Sequence, residues 1–173
     1  MNVLEKFSAI STFVFDIDGV LTDGTVLVLD NGLQARRMHI KDGFALQMAQ
    51  KNGYRVLVVS GGHSPQVQQR LEKLGVADVY LSVLNKKEFI SKYISEHKIS
   101  PAEVLYMGDD LPDLPAMGIV GLATCPADAV PEVLQAVHYI SPLNGGHACV
   151  RDVIEKVMKL HGKWSYREDV TSR

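Results

Sequence analysis

The sequence predicts a doubly wound α/β domain built on a parallel sheet. Short apolar runs alternate with helical segments along the 173 residues, an alternation typical of right-handed crossovers between parallel strands. The runs are continuously apolar, as expected for strands covered by helices on both faces. A chain of about 150 residues buries about 70% of its unfolded surface as one domain. We therefore predict a single domain over residues 1–162 and a polar tail over residues 163–173, mobile or held by a partner.

Six apolar runs are predicted to form strands, and four other segments are predicted to form helices. Ser64-Pro65 has the composition of a helix N-cap and first position, and Gly53 and Gly75 are typical of residues that follow a helix,. From Val150, apolar side chains recur at the spacing of one helix face,. The predicted strands cover residues 12–15, 55–59, 79–81, 104–107, 119–123 and 138–140, and the predicted helices cover residues 44–52, 65–74, 86–98 and 150–158.

One segment interrupts the alternation and is predicted to form a β-hairpin over residues 25–40, here called the flap. Its first strand is TVLVL, and a turn with the sequence DNG leads into its second strand,. The first strand is apolar on both faces, and an isolated two-stranded hairpin is marginally stable in water. We therefore expect the flap to pack against its own domain or against another subunit.

Composition and charge exclude several classes of protein. A net charge of −2 provides no basic field that would bind nucleic acid. No run approaches the roughly 20 apolar residues that span a bilayer, and no secretory signal is recognisable. Cys125 and Cys149 lack metal-ligand spacing, so we interpret them as small buried side chains in a reducing compartment. We expect a cytoplasmic protein without nucleic-acid or membrane partners.

Polar residues follow the predicted strands where each strand ends. In an open parallel sheet, ligands bind beyond the carboxyl ends of the strands. The side chains that follow the strands should therefore converge on one edge. They are Asp16 and Asp18 after the first strand, Ser60, Gly61 and Gly62 after the second, Lys86 after the third, and Asp109, Asp110 and Asp113 after the fourth.

Clustered carboxylates at one edge favour a bound cation, because without one their mutual repulsion raises their pKa values. An oxygen-rich site suits Mg²⁺, which binds one or two carboxylates together with waters and a phosphate. Beside such a phosphate, Asp16 can act as nucleophile, while Asp18 protonates the leaving oxygen and later deprotonates water. Ser60 and the backbone N–H groups of Gly61 and Gly62 can donate hydrogen bonds to the phosphoryl oxygens, and Lys86 supplies positive charge to them. The pattern predicts Mg²⁺-dependent phosphoryl transfer.

The combination resembles the haloacid dehalogenase-like (HAD) phosphatases over residues 8–160. The specific motif is DxDGxLTDG, present at residues 16–24. Ser60, Lys86 and Asp109 stand at the positions of the second, third and fourth motifs. The resemblance implies a Rossmann-like HAD fold.

The resemblance also implies roles for the acidic residues. Asp16 takes the position of the nucleophile and Asp18 that of the general acid/base. Asp16, Asp109 and the backbone carbonyl of Asp18 take the positions of the Mg²⁺ ligands. We interpret Asp110 and Asp113 as supporting residues that orient the metal's waters or Lys86.

The chain has no insertion large enough for a cap domain. Only the flap and one helix follow the first motif, and only a helix and a strand separate Ser60 from Lys86. The chain thus resembles the capless subclass, and within it the phosphatases of 2-keto-3-deoxy sugar acids. The implied substrate is a small anionic phosphorylated sugar acid, with 3-deoxy-D-manno-octulosonate 8-phosphate (KDO 8-phosphate, a lipopolysaccharide precursor) favoured and KDN 9-phosphate as the alternative. A homotetramer assembled through the flaps is also implied.

Substrate contacts are implied at the matching positions, with two departures. Gly62 and His147 stand where the family usually has arginine, the side chain that clamps a carboxylate bidentately. The carboxylate is therefore held differently, or the substrate differs. We interpret Arg36-Arg37 in the flap as a pair that is more often solvated than ligand-binding. The implied contacts are Asp18, His39, Ile40, Lys41, Asp42, Gly43, Gly61, Arg70 and Lys86.

Two other functional classes fit parts of this pattern. A phosphoacceptor domain of the response-regulator type also uses Asp, Ser or Thr, and Lys at strand ends, but its phosphorylated Asp follows the third strand. A non-catalytic HAD-like oligomerisation domain is the other alternative, and the intact set of Asp16, Asp18, Ser60, Lys86 and Asp109 argues against it. The sequence therefore favours an enzyme.

Overall fold

A six-stranded parallel sheet forms the centre of the computed structural model, which describes residues 2–172. The strands of this sheet are β1 (Thr12–Phe15), β4 (Arg55–Val59), β5 (Asp78–Tyr80), β6 (Val104–Met107), β7 (Leu122–Cys125) and β8 (Tyr139–Ile140). The flap contains a separate pair of strands, β2 (Leu27–Val28) and β3 (Gln34–Ala35). The helices are α1 (Val3–Ser8), α2 (Ile40–Lys51), α3 (Pro65–Lys73), α4 (Lys86–Glu96), α5 (Leu114–Met117), α6 (Pro131–Ala136) and α7 (Cys149–Leu160).

The strand order places β1 in the middle of the sheet and confirms the predicted fold class. The order is β5-β4-β1-β6-β7-β8, and every neighbouring pair is parallel. The chain runs from β1 outward to β4 and β5, then returns to β6 on the other side of β1. This reversal is the topological switch point at which open α/β sheets bind ligands. Residues that follow β1, β4 and β6 are therefore neighbours at one edge.

Helices cover both faces of the sheet, which explains the continuously apolar strands. Phe13 and Phe15 of β1 belong to a buried cluster that includes Leu46 of α2. Val14, which points to the opposite face, belongs to a second cluster with Ile90 of α4. Alternate side chains of a strand point to opposite faces, so a strand between two helical layers needs apolar residues at every position.

Several helix boundaries differ from those predicted, for local reasons. Helix α2 begins at Ile40, four residues before the predicted start, because the His39 Nδ1 accepts a hydrogen bond from the Lys41 N–H at 3.1 Å and caps it. Strand β7 begins at Leu122, three residues after the predicted start at 119. Helices α1, α5 and α6 were not predicted, since segments of four to six residues are too short to show a helical period.

The flap is a hairpin whose apolar side chains are exposed. Its strands β2 and β3 pair in antiparallel register, and a single bridge between Thr22 and Met38 joins its base to the domain. Val26, Leu27 and Val28 are 44%, 64% and 66% exposed. The flap was expected to pack against its own domain or against another subunit. Within residues 2–172, these three side chains pack little against the flap's own domain.

The tail differs from the expectation of a mobile segment, because it packs on α2. The Trp164 ring meets Phe44 edge-on with 6.2 Å between ring centroids, and Val170 is buried. Lys51 of α2 pairs with Asp169 at 2.9 Å. These contacts fasten the tail to the helix that begins beside the flap.

Both cysteines are free and buried, as predicted. Burial is the main cause that raises the pKa of Cys125 to about 12 and raises the pKa of Cys149 as well, so both side chains are neutral thiols. Among the described helices, none has the length and apolar character needed to cross a membrane.

Candidate active site

The strand-end residues converge on one cavity, as the topology requires. The cavity has a volume of about 380 Å³ and lies at the carboxyl ends of β1, β4 and β6. It contains most of the residues predicted to carry phosphoryl transfer. These are Asp16, Asp18, Ser60, Gly61, Lys86 and Asp109, with Gly62, Asp110 and Asp113 beside them.

Asp16 is nearly buried at the end of β1, and both of its carboxylate oxygens have partners. Oδ1 accepts a hydrogen bond from the Ile17 N–H at 2.7 Å, and Oδ2 lies 2.8 Å from Lys86 Nζ. Burial and the negative charge of Asp113 raise the pKa of Asp16 to about 6, against the opposing effect of Lys86. The carboxylate is thus held in a fixed orientation at the floor of the cavity.

Lys86 is a buried cation shared by two carboxylates. Its Nζ lies 2.8 Å from Asp16 Oδ2 and 2.7 Å from Asp113 Oδ1. Burial alone would lower the pKa of Lys86, but the two carboxylates outweigh it and raise that pKa. Lys86 therefore stays charged and aimed at the cavity, at the first position of α4.

Both carboxylate oxygens of Asp113 accept hydrogen bonds from other groups of the protein. Its Oδ1 also accepts a hydrogen bond from the Tyr106 hydroxyl at 2.5 Å, and its Oδ2 accepts from the backbone N–H groups of Asp109 at 3.0 Å and Asp110 at 3.2 Å. One oxygen each of Asp16, Asp109 and Asp113 lies within 4.8 Å of the others. Both Asp113 oxygens already accept two bonds, which favours a role for Asp113 in holding Lys86 and the loop that carries Asp109 over a role as metal ligand.

The carboxylate of Asp109 accepts no hydrogen bond from the residues described, 2–172. Burial raises its pKa to about 7, and the charges of Asp113 and Asp16 add to that shift. The backbone of Gly19 approaches closely: a Cβ at that position would lie 2.0 Å from Asp109 Oδ2, and its φ of +82° also favours glycine. An unpartnered carboxylate beside Asp16, in an all-oxygen donor set, fits Mg²⁺.

Asp18 lies above Asp16 and pairs with an arginine from the flap. The Arg36 Nε lies 2.6 Å from Asp18 Oδ1, and its Nη2 lies 3.4 Å from Asp18 Oδ2. The Arg36 side chain is only 10% exposed, whereas that of Arg37 is 84% exposed. The interpretation of the pair as solvated is therefore wrong for Arg36. Neighbouring residues of a hairpin point to opposite faces, and this alternation is the signal that would have separated the two.

Ser60 and Gly62 form the side of the cavity that follows β4. The Ser60 Oγ accepts a hydrogen bond from the Gly62 N–H at 3.1 Å, which leaves the hydroxyl hydrogen free to donate to a ligand. A Cβ at Gly62 would lie 3.3 Å from Asp18 Oδ2. Any side chain at position 62 would therefore start against the Asp18 carboxylate.

Several predicted substrate contacts lie outside this cavity. Ile40 and Arg70 line a separate groove beneath the flap, and Lys41 lines a depression next to Arg151 of α7. The His39 ring caps α2, as described above. The structure therefore does not bring these side chains to the catalytic cavity.

Asp42 and Gly43 are buried within the domain and not at the cavity. The Asp42 Oδ1 accepts a hydrogen bond from the Arg151 N–H at 2.7 Å, which caps the first turn of α7. Burial raises the pKa of Asp42 to about 6. The Asp42 carboxylate is thus held at the first turn of α7, and a substrate contact of the segment from His39 to Gly43 stays a prediction. His147 likewise points to its own loop, with Nδ1 2.7 Å from the Gly145 carbonyl oxygen.

Three comparisons place known proteins beside this fold and site. A model of the haloacid dehalogenase-like hydrolase family matches residues 39–121. The 3-deoxy-D-manno-octulosonate 8-phosphate phosphatase KdsC of Salmonella typhi is 32% identical over 162 residues, 94% of this chain and 86% of that protein. The structure of the Yersinia pestis phosphatase of the same name matches with a TM-score of 0.91 at 27% identity, covering 99% of this chain and 91% of that one.

The corresponding phosphatase from Moraxella catarrhalis was solved in complex with magnesium ion, phosphate ion and KDO. It matches with a TM-score of 0.87 at 27% identity and covers 91% of this chain and 90% of that one. The matches to the two phosphatases from Salmonella typhi and Yersinia pestis cover 94% and 99% of this chain, whereas the family model matches only residues 39–121.

The raised pKa values of Asp16, about 6, and Asp109, about 7, predict competition between protons and Mg²⁺. Without metal, the folded protein binds more protons than the unfolded chain between about pH 4 and 7, so its free energy of unfolding falls as pH rises through that window. Ionised carboxylates are needed for the metal. We expect Mg²⁺ to raise the melting temperature more at about pH 8 than at about pH 5.

Thermal unfolding with and without Mg²⁺ checks this expectation. Asp109→Asn should lose most of the Mg²⁺-induced shift, whereas Asp169→Asn, a change at an exposed carboxylate of the tail, should keep it. A shift of equal size at both pH values would contradict the assignment of these carboxylates to the metal.

Proposed function

We propose that this protein converts KDO 8-phosphate to KDO and inorganic phosphate. The chain belongs to the haloacid dehalogenase-like hydrolases and, within them, to the KDO 8-phosphate phosphatase family. Membership makes the protein a phosphoric monoester hydrolase that uses Mg²⁺. The substrate is supported by relatives that match most of the chain and bear that activity in their names. The product would enter lipopolysaccharide precursor synthesis.

The observation that carries the proposal is the placement of Asp16, Asp18 and Lys86 around one cavity. A phosphomonoesterase of this kind needs a nucleophile, a proton donor and a cation for the phosphoryl oxygens. Lys86 Nζ lies 2.8 Å from Asp16 Oδ2, and Asp18 lines the same cavity. Asp16, Asp109 and the backbone carbonyl of Asp18 would hold Mg²⁺, which when bound neutralises charge on the phosphate.

The first step of the proposed reaction is transfer of the phosphoryl group to Asp16. An Asp16 carboxylate oxygen bonds to phosphorus as the bond from phosphorus to the sugar oxygen breaks. Asp18, in its acid form, gives its proton to that leaving oxygen. Lys86 and the Ser60 hydroxyl stabilise the charge on the phosphoryl oxygens during transfer. The products of this step are the free sugar acid and an aspartyl phosphate.

Hydrolysis of the aspartyl phosphate completes the cycle. The Asp18 carboxylate takes a proton from a water molecule whose oxygen bonds to phosphorus, and the bond from phosphorus to Asp16 breaks. Inorganic phosphate leaves, and Asp18 has regained the proton that it gave up. The same carboxyl group thus serves as acid and then as base, which requires it to sit beside the leaving group and not beneath the phosphate.

The flap supports a proposed homotetramer, because nothing within residues 2–172 covers its exposed apolar side chains. Leu84, at the rim of the catalytic cavity, is also 96% exposed. Phosphoryl transfer benefits from the exclusion of water, and a capless domain leaves its cavity open. Flaps that pair between subunits would bury their own apolar faces and cover a neighbouring cavity at the same time.

The purified protein should release phosphate from KDO 8-phosphate with a kcat/KM at least about tenfold above that for KDN 9-phosphate or neutral sugar phosphates. Chelation of the metal should abolish release, and added Mg²⁺ should restore it. A phosphate-release assay over a panel of phosphorylated sugars makes the comparison. A preference for a neutral sugar phosphate would refute the proposed substrate.

Asp16→Asn should keep the fold but reduce turnover by at least about 10⁴-fold, because the amide cannot form the covalent intermediate. Asp169→Asn, which removes an exposed carboxylate in the tail, serves as the matched control and should change turnover by less than about twofold. Steady-state kinetics with circular dichroism as a check of folding measures both. Turnover of Asp16→Asn within tenfold of the wild type would remove Asp16 from the role of nucleophile.

The double variant Val26→Asp/Val28→Asp should dissociate the tetramer, because it places two charges on one face of a flap strand. Activity should fall by about tenfold or more as the cavities lose their cover. Leu4→Asp, a change at an equally exposed residue of α1, should leave both assembly and activity intact. Light scattering decides the question, and a fully active wild-type monomer would exclude the proposed interface.

A further inference from the structure

A second cavity adjoins the catalytic one, between the flap and α3. This groove has a volume of about 550 Å³, and its lining includes Arg36, Arg37 and Arg70 but no acidic residue. Arg36 is shared with the catalytic site, because its guanidinium pairs with Asp18. The ion pair between Asp18 and Arg36 therefore stands between the two cavities, and the groove is the more positive of the two.

The Arg36 guanidinium has more donors than its partner uses. Five N–H groups are available on an arginine, and Asp18 accepts one short bond at 2.6 Å and one long contact at 3.4 Å. The other N–H groups have no further acceptor among residues 2–172. A buried guanidinium at the wall of a cavity can donate its unused N–H groups to a second anion.

Ser64 supplies an independent sign of a ligand in the same groove. It is 5% exposed, and its Oγ is buried without a hydrogen-bond partner in the described part of the chain. It stands at the N-cap of α3 yet makes no capping bond. A buried hydroxyl without a partner costs free energy, so a ligand that accepts its hydrogen would remove that cost.

The start of α3 adds backbone donors to the site. Pro65 occupies its first position, and the N–H groups of Gln66 and Val67 lie too early in the helix to have an acceptor within it,. Both residues line the groove with Ser64 and Arg36. A helix N-terminus beside an arginine and a free hydroxyl is suited to an anion.

We propose that this groove is the subsite for the carboxylate of the substrate, held by Arg36, Ser64 and the N-terminus of α3. The inference rests on the proposed function, since a phosphorylated sugar acid carries two anionic groups. Lys86 and Ser60 face the phosphate, and Gly62 offers no side chain to a second anion. Arg36 lies on the other side of Asp18, where the rest of the substrate would leave the catalytic cavity.

Binding is the sharper test, because Arg36 also touches Asp18 and its loss affects turnover in more than one way. The experiment is to measure the Kd of free KDO and the Kd of inorganic phosphate by calorimetry, with Mg²⁺ present. Arg36→Gln should raise the Kd of KDO at least about tenfold and Ser64→Ala about threefold, whereas the Kd of phosphate changes less than about twofold in both. Lys92→Gln removes the same charge from an exposed side chain of α4 outside the groove and should change neither.

An equal rise in both Kd values, or an unchanged Kd of KDO in Arg36→Gln and Ser64→Ala, would overturn the proposal. Ser64→Ala removes no existing hydrogen bond, so it remains informative if Arg36→Gln does not fold. If the wild type neither binds KDO nor cleaves KDO 8-phosphate, the proposed substrate fails on its own. Phosphate release from 3-phosphoglycerate and glycerol 3-phosphate then tests the groove: loss in Arg36→Gln confined to the carboxylate-bearing ester supports it, and equal loss contradicts it.

Discussion

The buried ion pair between Lys86 and Asp113 is the constraint on which the rest of the site depends. Lys86 Nζ and Asp113 Oδ1 lie 2.7 Å apart and are both excluded from solvent. Asp113 also binds the backbone N–H groups of Asp109 and Asp110, and Lys86 also binds Asp16. One carboxylate therefore fixes both the cation and the loop after β6. Removal of one partner from a buried pair leaves the other charge uncompensated and costs about 3–5 kcal/mol.

Charge is not balanced in this arrangement, and the imbalance has a function. Asp16, Asp109 and Asp113 share the neighbourhood of Lys86. Asp113 has its hydrogen bonds satisfied, and burial, together with the charge of the neighbouring carboxylates, raises the pKa of Asp16 to about 6 and that of Asp109 to about 7. A divalent cation compensates that charge and can bring a phosphate with it. The fold thus holds two carboxylates ready for a metal at the expense of stability without it.

The convergence of the candidate site residues on one cavity could be predicted from sequence because strand ends converge in a parallel sheet. Asp16, Ser60 and Asp109 directly follow buried strands or lie one residue beyond, so order along the chain was enough to bring them together. The predicted strands over residues 12–15, 55–59 and 104–107 coincide with β1, β4 and β6. The apolar content of strands buried on both faces made those boundaries unambiguous.

Residues outside the strand ends could not be placed in this way. Arg36 and Arg37 are adjacent, and only the register of a short hairpin strand determines which one turns toward Asp18. Asp42 lies next to residues of the groove in sequence, but the early start of α2 turns its carboxylate to α7. The tail has only Trp164 and Val170 as apolar anchors, too few to show a period. Each of these positions depends on tertiary packing that the local pattern does not encode.

A crystal structure with Mg²⁺ and orthovanadate in place of phosphate tests most directly which carboxylates bind the metal and which one holds Lys86. The account predicts that oxygens of Asp16 and Asp109 lie about 2.0–2.1 Å from the ion. Asp113 should remain on Lys86, Tyr106 and the loop after β6. An Asp113 carboxylate turned onto the metal, with Lys86 released from it, would contradict the claim that this ion pair organises the site.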